Sequence, residues 1–463
     1  MQNVDLTPSD EILERLDAAL AASPADETEM VWHEVARAGA ESPGPSPAAP
    51  PARERNLLVR VYERGRLGIY RTGAGSAGEL EDAVRQALAQ AKVDPPPAHR
   101  PPLTPKGPPL DPPADGHDPA LAALTPEAAA AMLAEGLERD ERSCLAWAEA
   151  RIVVANSRGL RRAGAVTAAS LEVRSGDGDG IGAGRATASA RSLAGLAAGE
   201  VAGRARARRA GGAAAGEDGA LPEADGDAAP AIVLAPEAVA RLLELLNHHA
   251  LSARSFHDRT SCLLEAVGQP ALDPRLTLTD RPDDPAGMPF PFDFFGAAKE
   301  PVTLVEGGVL RTPAADSSLA PDLGLLPLHL AVGPDDARAG NLFLTATGGR
   351  DLEELFQAAD DGVWIGWLDD VRCFDPPTLR FRARARGVRA IRRGTLGGAL
   401  PDRPWEASLL ALLARVAGVG RDPVCLAAGD GVLEAVVAPA LALPAEARAA
   451  SGPVDPTAST ALA

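Results

Sequence analysis

Ala231-Ile232-Val233-Leu234-Ala235-Pro236-Glu237-Ala238-Val239-Ala240-Arg241-Leu242-Leu243-Glu244-Leu245-Leu246-Asn247-His248-His249-Ala250 is the stretch on which the reading of this chain turns. A short apolar run, then Pro at a first helical position and Glu in the first turn, reads as a strand running into a helix. Val239, Leu242, Leu243, Leu246 and Ala250 recur at helical spacing and form one buried stripe. Glu244 and His248 are four apart and share a face. A helical zinc site of the HExxxH type would need a His one residue before that Glu, and position 243 is Leu. The letters of a metal-binding helix are set around a missing ligand.

Downstream lie Ser255-Phe256-His257-Asp258-Arg259-Thr260-Ser261, Gly268, the strand-like Leu276-Thr277-Leu278-Thr279-Asp280, Asp283-Asp284-Pro285 and Gly287. Pro291-Phe292-Asp293-Phe294-Phe295-Gly296 and a hairpin at Glu306-Gly307-Gly308-Val309-Leu310 follow. Asn341 to Leu344, Gly348 to Leu355, and Asp361-Gly362-Val363 continue the series. This order and spacing resembles the C-terminal domain of the TldD/PmbA family, the subunits of a bacterial peptide-processing metalloprotease once called modulators of DNA gyrase. Asn56 to Gly68 resembles that family's first hairpin, so the similarity spans most of the chain. The resemblance implies a pair of subunits: a TldD type that binds zinc through HExxxH, and a PmbA (TldE) type that lacks it. Leu243-Glu244-Leu245-Leu246-Asn247-His248 places this chain with the second type. Two segments depart from the family pattern. Phe295 stands where an acidic residue is expected, and Phe374-Asp375-Pro376-Pro377-Thr378-Leu379-Arg380-Phe381 replaces a stretch with Gly and Ser.

The 463 residues suffice for two or three domains with substantial cores. A formal charge of −18 disfavours nucleic acid, whose phosphates demand a basic face. Lys occurs only at 92, 106 and 299, a bias that fits genome composition better than chemistry. Cys144, Cys262, Cys373 and Cys425 are widely spaced with no CxxC, the opening Met1-Gln2-Asn3-Val4-Asp5 is no secretory leader, and no apolar run reaches membrane-spanning length. The expected setting is the reducing cytoplasm, with free thiols and no membrane partner.

The expected fold is α+β: an N-terminal helix-plus-sheet domain followed by a mostly β C-terminal domain with few helices. Pro8-Ser9-Asp10 starts a helix, 29–38 and 56–71 read as strands (the latter a hairpin at Arg64-Gly65), 41–53 as a loop, and 77–92 as a helix. Residues 1–93 thus form one domain, and the dense prolines of 94–119 a semi-rigid linker. Residues 120–229 form a central α+β region, with a helix near 125–139, strands over 144–194, and an Ala/Gly/Arg-rich end over 202–229 that reads as a fraying helix running into disorder. Residues 230–445 are the β-rich domain with a late helix near 405–416, and 446–463 a disordered tail.

His33-Glu34 is the only His-Glu pair, but Arg37 and Ala38 stand where a second His would be needed, and Glu27–Arg37 reads as a strand. Glu244 and His248, with His257 or a distant Cys373, are the candidates for a degenerate metal site; the plainer reading is a helix-end histidine facing solvent or stabilising the helix dipole. Gly176-Asp177-Gly178-Asp179-Gly180-Ile181-Gly182-Ala183-Gly184 lacks both the calcium-loop Glu and a phosphate-loop Lys, and reads as a hairpin tip. Arg380, Arg382, Arg384 and Arg386 alternate with Phe381, Ala383 and Ala385, giving a strand with one cationic face. That face is either paired with the chain's own carboxylates or a wall for an acidic peptide or partner. There is no GxSxG elbow and no recognisable nucleophilic Cys.

The expectation is a non-catalytic TldE-like subunit of a heteromeric zinc metalloprotease that binds and helps process an extended peptide. It carries no cofactor; zinc belongs to a TldD-like partner. The rivals are an active peptidase with an atypical metal set, and a stand-alone peptide-binding or scaffold protein.

Overall fold

A computed structural model describes residues 6–43, 52–73, 75–97, 99–110, 116–135, 138, 140–176, 182–209, 231–429 and 431–444. In the N-terminal half, α1 (Ser9–Ala22) precedes three strands, β1 (Glu27–Ser42), β2 (Ala52–Glu63) and β3 (Arg66–Thr72). The helices α2 (Ala77–Val93), α3 (Pro119–Ala122) and α4 (Pro126–Glu135) come next, then β4 (Glu141–Asn156), β5 (Arg161–Ser175), β6 (Gly184–Ala190) and α5 (Ala198–Arg208). Arg64 and Gly65 both have positive φ, 51° and 78°, the left-handed pair that a tight β2–β3 hairpin needs. α2 starts on a capping box between Ser76 and Glu79.

The six strands form one sheet in the order β3-β2-β1-β4-β5-β6. This corrects the expected division into 1–93 and 120–229, because β1 at its centre pairs with β4, Val31 opposite Val154. The proline tract between them does not space two domains apart. Its described part lies along the sheet, where carbonyls outside regular structure accept from side chains. Tyr62 Oη donates to Pro101 (2.6 Å), Asn156 Nδ2 to Thr104 (2.8 Å) and Arg162 Nη1 to Pro108 (2.6 Å), and Leu103 is buried.

α1 and α2 cover one half of a sheet face, Ile12, Leu16, Leu80 and Val84 packing on Trp32, Leu57 and Val59. α4 and α5 cover the other half through Leu133 and Val201 on Trp147, Leu171 and Val173. The opposite face, with Val31, Val35, Leu58, Ile152 and Val166, is sealed by Met288, Phe290, Phe292, Phe295 and Val432 of the C-terminal half. This seam between the halves positions every cavity discussed below.

The C-terminal half opens with β7 (Ala231–Leu234) and α6 (Pro236–Leu246), continues through a single π turn at Asn247–Leu251, and reaches α7 (Ala253–His257). Then come β8 (Leu276–Asp280), β9 (Val302–Glu306), β10 (Val309–Leu310), β11 (Ala331–Gly333), β12 (Asp336–Ala337), β13 (Asn341–Ala346), α8 (Leu352–Ala359) and β14 (Gly362–Ile365). The chain ends in β15 (Trp367–Asp375), β16 (Arg380–Arg386), β17 (Arg389–Arg392), β18 (Thr395–Ala399), β19 (Arg403–Ser408), α9 (Leu409–Leu413), β20 (Gly418–Val419), β21 (Val424–Ala428), β22 (Glu434–Ala438) and β23 (Leu441–Leu443). Two six-stranded sheets, β10-β9-β8-β13-β22-β21 and β18-β17-β14-β7-β23-β20, and a three-stranded sheet β15-β16-β19, share a core with the apolar stripe of α6. The fold is α+β with a mostly β C-terminal half.

The late helix is shorter than expected. Residues 403–408 alternate Trp405 and Ala407 inward against Pro404 and Glu406 outward and join β16 as a strand; only Leu409–Leu413 is helical, with Ser408 Oγ accepting from Ala411 N. The loop expected over 41–53 is strand at both ends, and 44–51 lie outside the described residues. The Gly-rich tip from 177 to 181, the segment 210–230 and the tail from 445 also lie outside them.

Candidate functional site

α6 presents its apolar stripe to the core and a narrow polar edge to the seam. Leu243 is 1% exposed and belongs to the core, so the position where a ligand would be needed points away from the cleft. Glu244 is half-buried, pairs with Arg241 (2.8 Å) and accepts from the Gly429 N–H (3.1 Å). At the helix end the turn widens, and Asn247 fixes it in place: its Nδ2 donates to the Ala339 carbonyl (2.9 Å) and its Oδ1 accepts from the Ala339 N–H (3.2 Å). His248 is exposed, its Nδ1 3.3 Å from Arg338 Nη1. The His249 ring meets it edge to face, centroids 4.9 Å apart. Burial, with His248 adding to it, holds His249 below the usual histidine range.

Three cavities follow one another along the seam. The first, about 370 Å3, lies between β5, β6, α6 and β15. Two of its carboxylates are paired in place: Glu172 with Arg174 and Arg185 (2.5 Å each), and Glu237 with Arg208 (2.6 Å), Glu237 also accepting from the Thr187 N–H (3.1 Å). The second, about 530 Å3, runs past Arg241, Glu244, His248 and His249 to Arg338 and Glu434, and shares Arg241, Glu244, Leu368 and Asp369 with the first. The third, about 450 Å3, opens between β1, β2 and the Phe290–Phe294 segment, and shares Arg338 and Glu434 with the second. Arg338 grips Glu434 through two hydrogen bonds, 2.6 and 2.8 Å, and also holds Asp336.

The three metal candidates are not brought together. Glu244 and His248 border the second cavity, but the Ser252 cap starts α7 on a new course, and His257 does not line it. His257 pairs with Asp258 (2.9 Å) and lies 3.8 Å from Asp322, which also holds His99. Cys373 sits on β15, its thiol pushed up by burial. Among the described residues no group of three or more His, Cys, Asp or Glu is spaced to hold a metal ion. A zinc set does not fit here: one position is a core leucine, the carboxylate is engaged by Arg241, and the imidazole faces a guanidinium. His33-Glu34 is a strand, as expected, and Glu34 is an anchor for the Thr7 N–H (2.9 Å), Arg53 and Arg55.

The arginine ladder forms the outer face of β16, with Phe381, Ala383 and Ala385 buried beneath it. Arg382 pairs with Glu406 (2.5 Å), and Arg386 with Asp369 (2.9 Å) and Asp402 (2.7 Å). Arg380 and Arg384 have no carboxylate partner among the described residues. Phe374, 49% exposed, lies below the guanidinium groups of Arg380 (5.8 Å) and Arg382 (5.7 Å). Half of the ladder is therefore internally paired.

Several residues that shape the seam were not singled out by sequence. Arg191, buried between the halves, donates to the carbonyls of Thr167 (3.2 Å), Met288 (3.0 Å), Pro289 (3.2 Å) and Val432. Phe295, the departure in the PFDFFG turn, puts its ring under Arg60 (4.2 Å), whose charge Glu29 meets from β1 (2.6 Å). Asp293 in the same turn was quoted only as part of the motif, and nothing local marks Arg338 or Glu434.

Residues 228–445 match the model of the PmbA/TldA metallopeptidase C-terminal domain, which fixes the class of the β-rich half. The match places the domain at 228–445 with the TldD/PmbA family. Solved structures share the fold over nearly the whole length. A candidate modulator of a DNA gyrase from Thermotoga maritima aligns at 18% identity over 94% of this chain and 99% of its own, TM-score 0.74. TldE from Thermococcus kodakarensis aligns at 18% over 94% and 99%, TM-score 0.73. A candidate modulator of DNA gyrase from Bacteroides thetaiotaomicron aligns at 19% over 94% and 97%, TM-score 0.70. No curated protein matches the sequence significantly. No helix among the described residues is long and apolar enough to cross a membrane.

Proposed function

We propose that this chain is the non-catalytic, TldE-like subunit of a cytoplasmic, heteromeric zinc metalloprotease, that it binds an extended peptide, and that a TldD-like partner carries the zinc. The observation that carries the reading is the fate of the helix letters: Leu243 is packed in the core, and Glu244 is spent on Arg241 and the Gly429 N–H. Catalytic zinc normally takes three protein ligands and keeps one position open. Extended peptide is supported by the seam itself. The edge strands β6 and β21 and the edge strand β15 all border the first cavity, and such edges recognise peptide through main-chain hydrogen bonds. The four cysteines are unpaired, in keeping with a reducing compartment.

Two measurements test this. Co-expression with a TldD-like chain that has an intact HExxxH should give a 1:1 complex by size exclusion, with zinc and peptidase activity only in the complex. Separate migration of two folded chains defeats the pairing. One zinc per isolated chain, lost in His248→Ala, would overturn the non-catalytic assignment.

A further inference from the structure

The third cavity has a chemical demand that its own walls do not meet. Val35, Leu58, Phe290, Phe292, Phe294 and Leu433 make its sides apolar. Its cations are each already matched: Arg37 by Glu54 (3.2 Å), Lys299 by Asp280 (3.5 Å), Arg338 by Glu434 (2.6 Å), and Arg71 by Asp335. Asp293 is the exception. It is 3% exposed, its Oδ1 accepts from the N–H groups of Phe295 (3.0 Å) and Ala297 (2.9 Å), and its Oδ2 has no hydrogen-bond partner among the described residues. A buried carboxylate oxygen left without a donor is costly and rarely tolerated without a role.

We propose that this cavity binds a primary ammonium group carried on an apolar residue, with Asp293 Oδ2 as the acceptor and Phe290, Phe292 and Phe294 as the apolar wall. A peptide amino terminus and a lysine side chain both offer this chemistry. The inference rests on the peptide-binding reading and adds where one charged group of the peptide is held. An ammonium brings donors to the orphaned oxygen, and aromatic faces tolerate a cation better than aliphatic ones do. The volume, about 450 Å3, is that of a small-ligand pocket and accommodates one bulky residue. From there a chain continues past the shared Arg338–Glu434 pair into the cavity beside α6.

The titration state agrees. Burial pushes Asp293 up to about 7, against the pull of the Ala297 and Phe295 N–H groups and Lys299, with the Asp316 carboxylate adding to the rise. A bound cation favours the ionised form, so binding strengthens as pH rises toward 7 and weakens below it. His33, Glu54, Arg37, Arg71, Arg338 and Glu434 also face the cavity, so the Asp293 variant must separate its contribution from theirs.

Calorimetry on the full chain would compare three hexapeptide amides: Leu-Phe-Ala-Ala-Ala-Ala with a free amino terminus, its acetylated form, and the acetylated form with Lys replacing Leu. A free ammonium should bind at least roughly tenfold tighter than the acetylated Leu peptide, and the gain should grow roughly tenfold from pH 5.5 to 7. Asp293→Asn retains the Oδ1 acceptor for the turn and should abolish both effects. Preference for the acetylated Lys peptide alone supports the site and assigns it to a side chain. Equal binding of all three peptides overturns the ammonium site and leaves peptide binding standing. Binding of none overturns both. Should Asp293→Asn not fold, a flat pH response of the wild-type preference is decisive against the proposal, and a full preference surviving in a folded Asp293→Asn places the ammonium elsewhere.

Discussion

Glu34 and Asp293 are both carboxylates buried to a few per cent or less, and the fold treats them in opposite ways. Burial pushes Glu34 up, yet the Thr7 N–H and Arg53 outweigh it and hold this carboxyl below its ordinary value, with Arg55 at 3.2 Å as a further donor. Asp293 receives two backbone N–H bonds on one oxygen and, among the described residues, nothing on the other, and burial wins. Depth is shared; the supply of donors is not. A settled carboxylate is a fixture of the fold, whereas an unsettled one marks a place where something else can bind.

The largest effect that separates the two should come from Glu34→Ala, which strands Arg53, Arg55 and the Thr7 N–H. Denaturant unfolding should show a loss of about 3 kcal/mol, less than a fully buried pair because both arginines are partly solvated. The Glu34 contribution is complete above the ordinary Glu range and fades as pH falls through its lowered folded value. A loss below about 1 kcal/mol would erase the contrast.

Asp293→Asn should act with the reverse sign. A folded value near 7 above an ordinary 3.8 means that wild type loses stability as pH climbs from the Asp range to 7. The variant should flatten that slope and gain about 2 kcal/mol over wild type at pH 8, roughly half of what the full displacement implies, since buried sites relax. Unfolding curves at pH 5 and 8 that shift in parallel for both proteins would show that Asp293 is satisfied after all.

Smaller still is the expected stability effect of Arg382→Glu with Arg384→Glu. The Arg382–Glu406 pair is exposed and Arg384 has no carboxylate partner among the described residues, so unfolding should change by at most about 1 kcal/mol. Binding of an acidic peptide or partner segment should weaken severalfold and lose most of its salt dependence, measured by titration at low and high salt. Unchanged binding with a lower melting temperature would make the ladder a fixture like Glu34.

What could be read from the sequence follows the range of the forces involved. α6, the Arg64-Gly65 hairpin and the two-residue period of β16 rest on neighbours a few positions apart, and they appear where expected. The π turn and the Ser252 cap that carry His257 away from His248 depend on contacts with residues 314–339, so the histidines look closer in sequence than they lie in space. The carboxylates that quench half of the ladder come from β15, β19 and the turn before β19. Asp293 was hidden for the same reason: its environment is assembled from β1, β2 and the C-terminal half, and a motif letter carries no record of what is packed above it. Leu409–Leu413 misled by its apolar run, which hid the strand period just ahead of it.

The position of β1 has a consequence for how this chain comes off the ribosome. Its two neighbours in the sheet are β2, made at once, and β4, made only after α2, the proline tract and α4 have been synthesised. Until then the nascent three-stranded piece has a bare edge along a strand whose Met30, Val31 and Trp32 are destined for the interior. Such pairings over long separations form late, and an unpaired apolar edge is what chaperones and aggregates both recognise. If that late pairing limits folding, synonymous codon changes across residues 94–140 should alter soluble yield without altering a single amino acid.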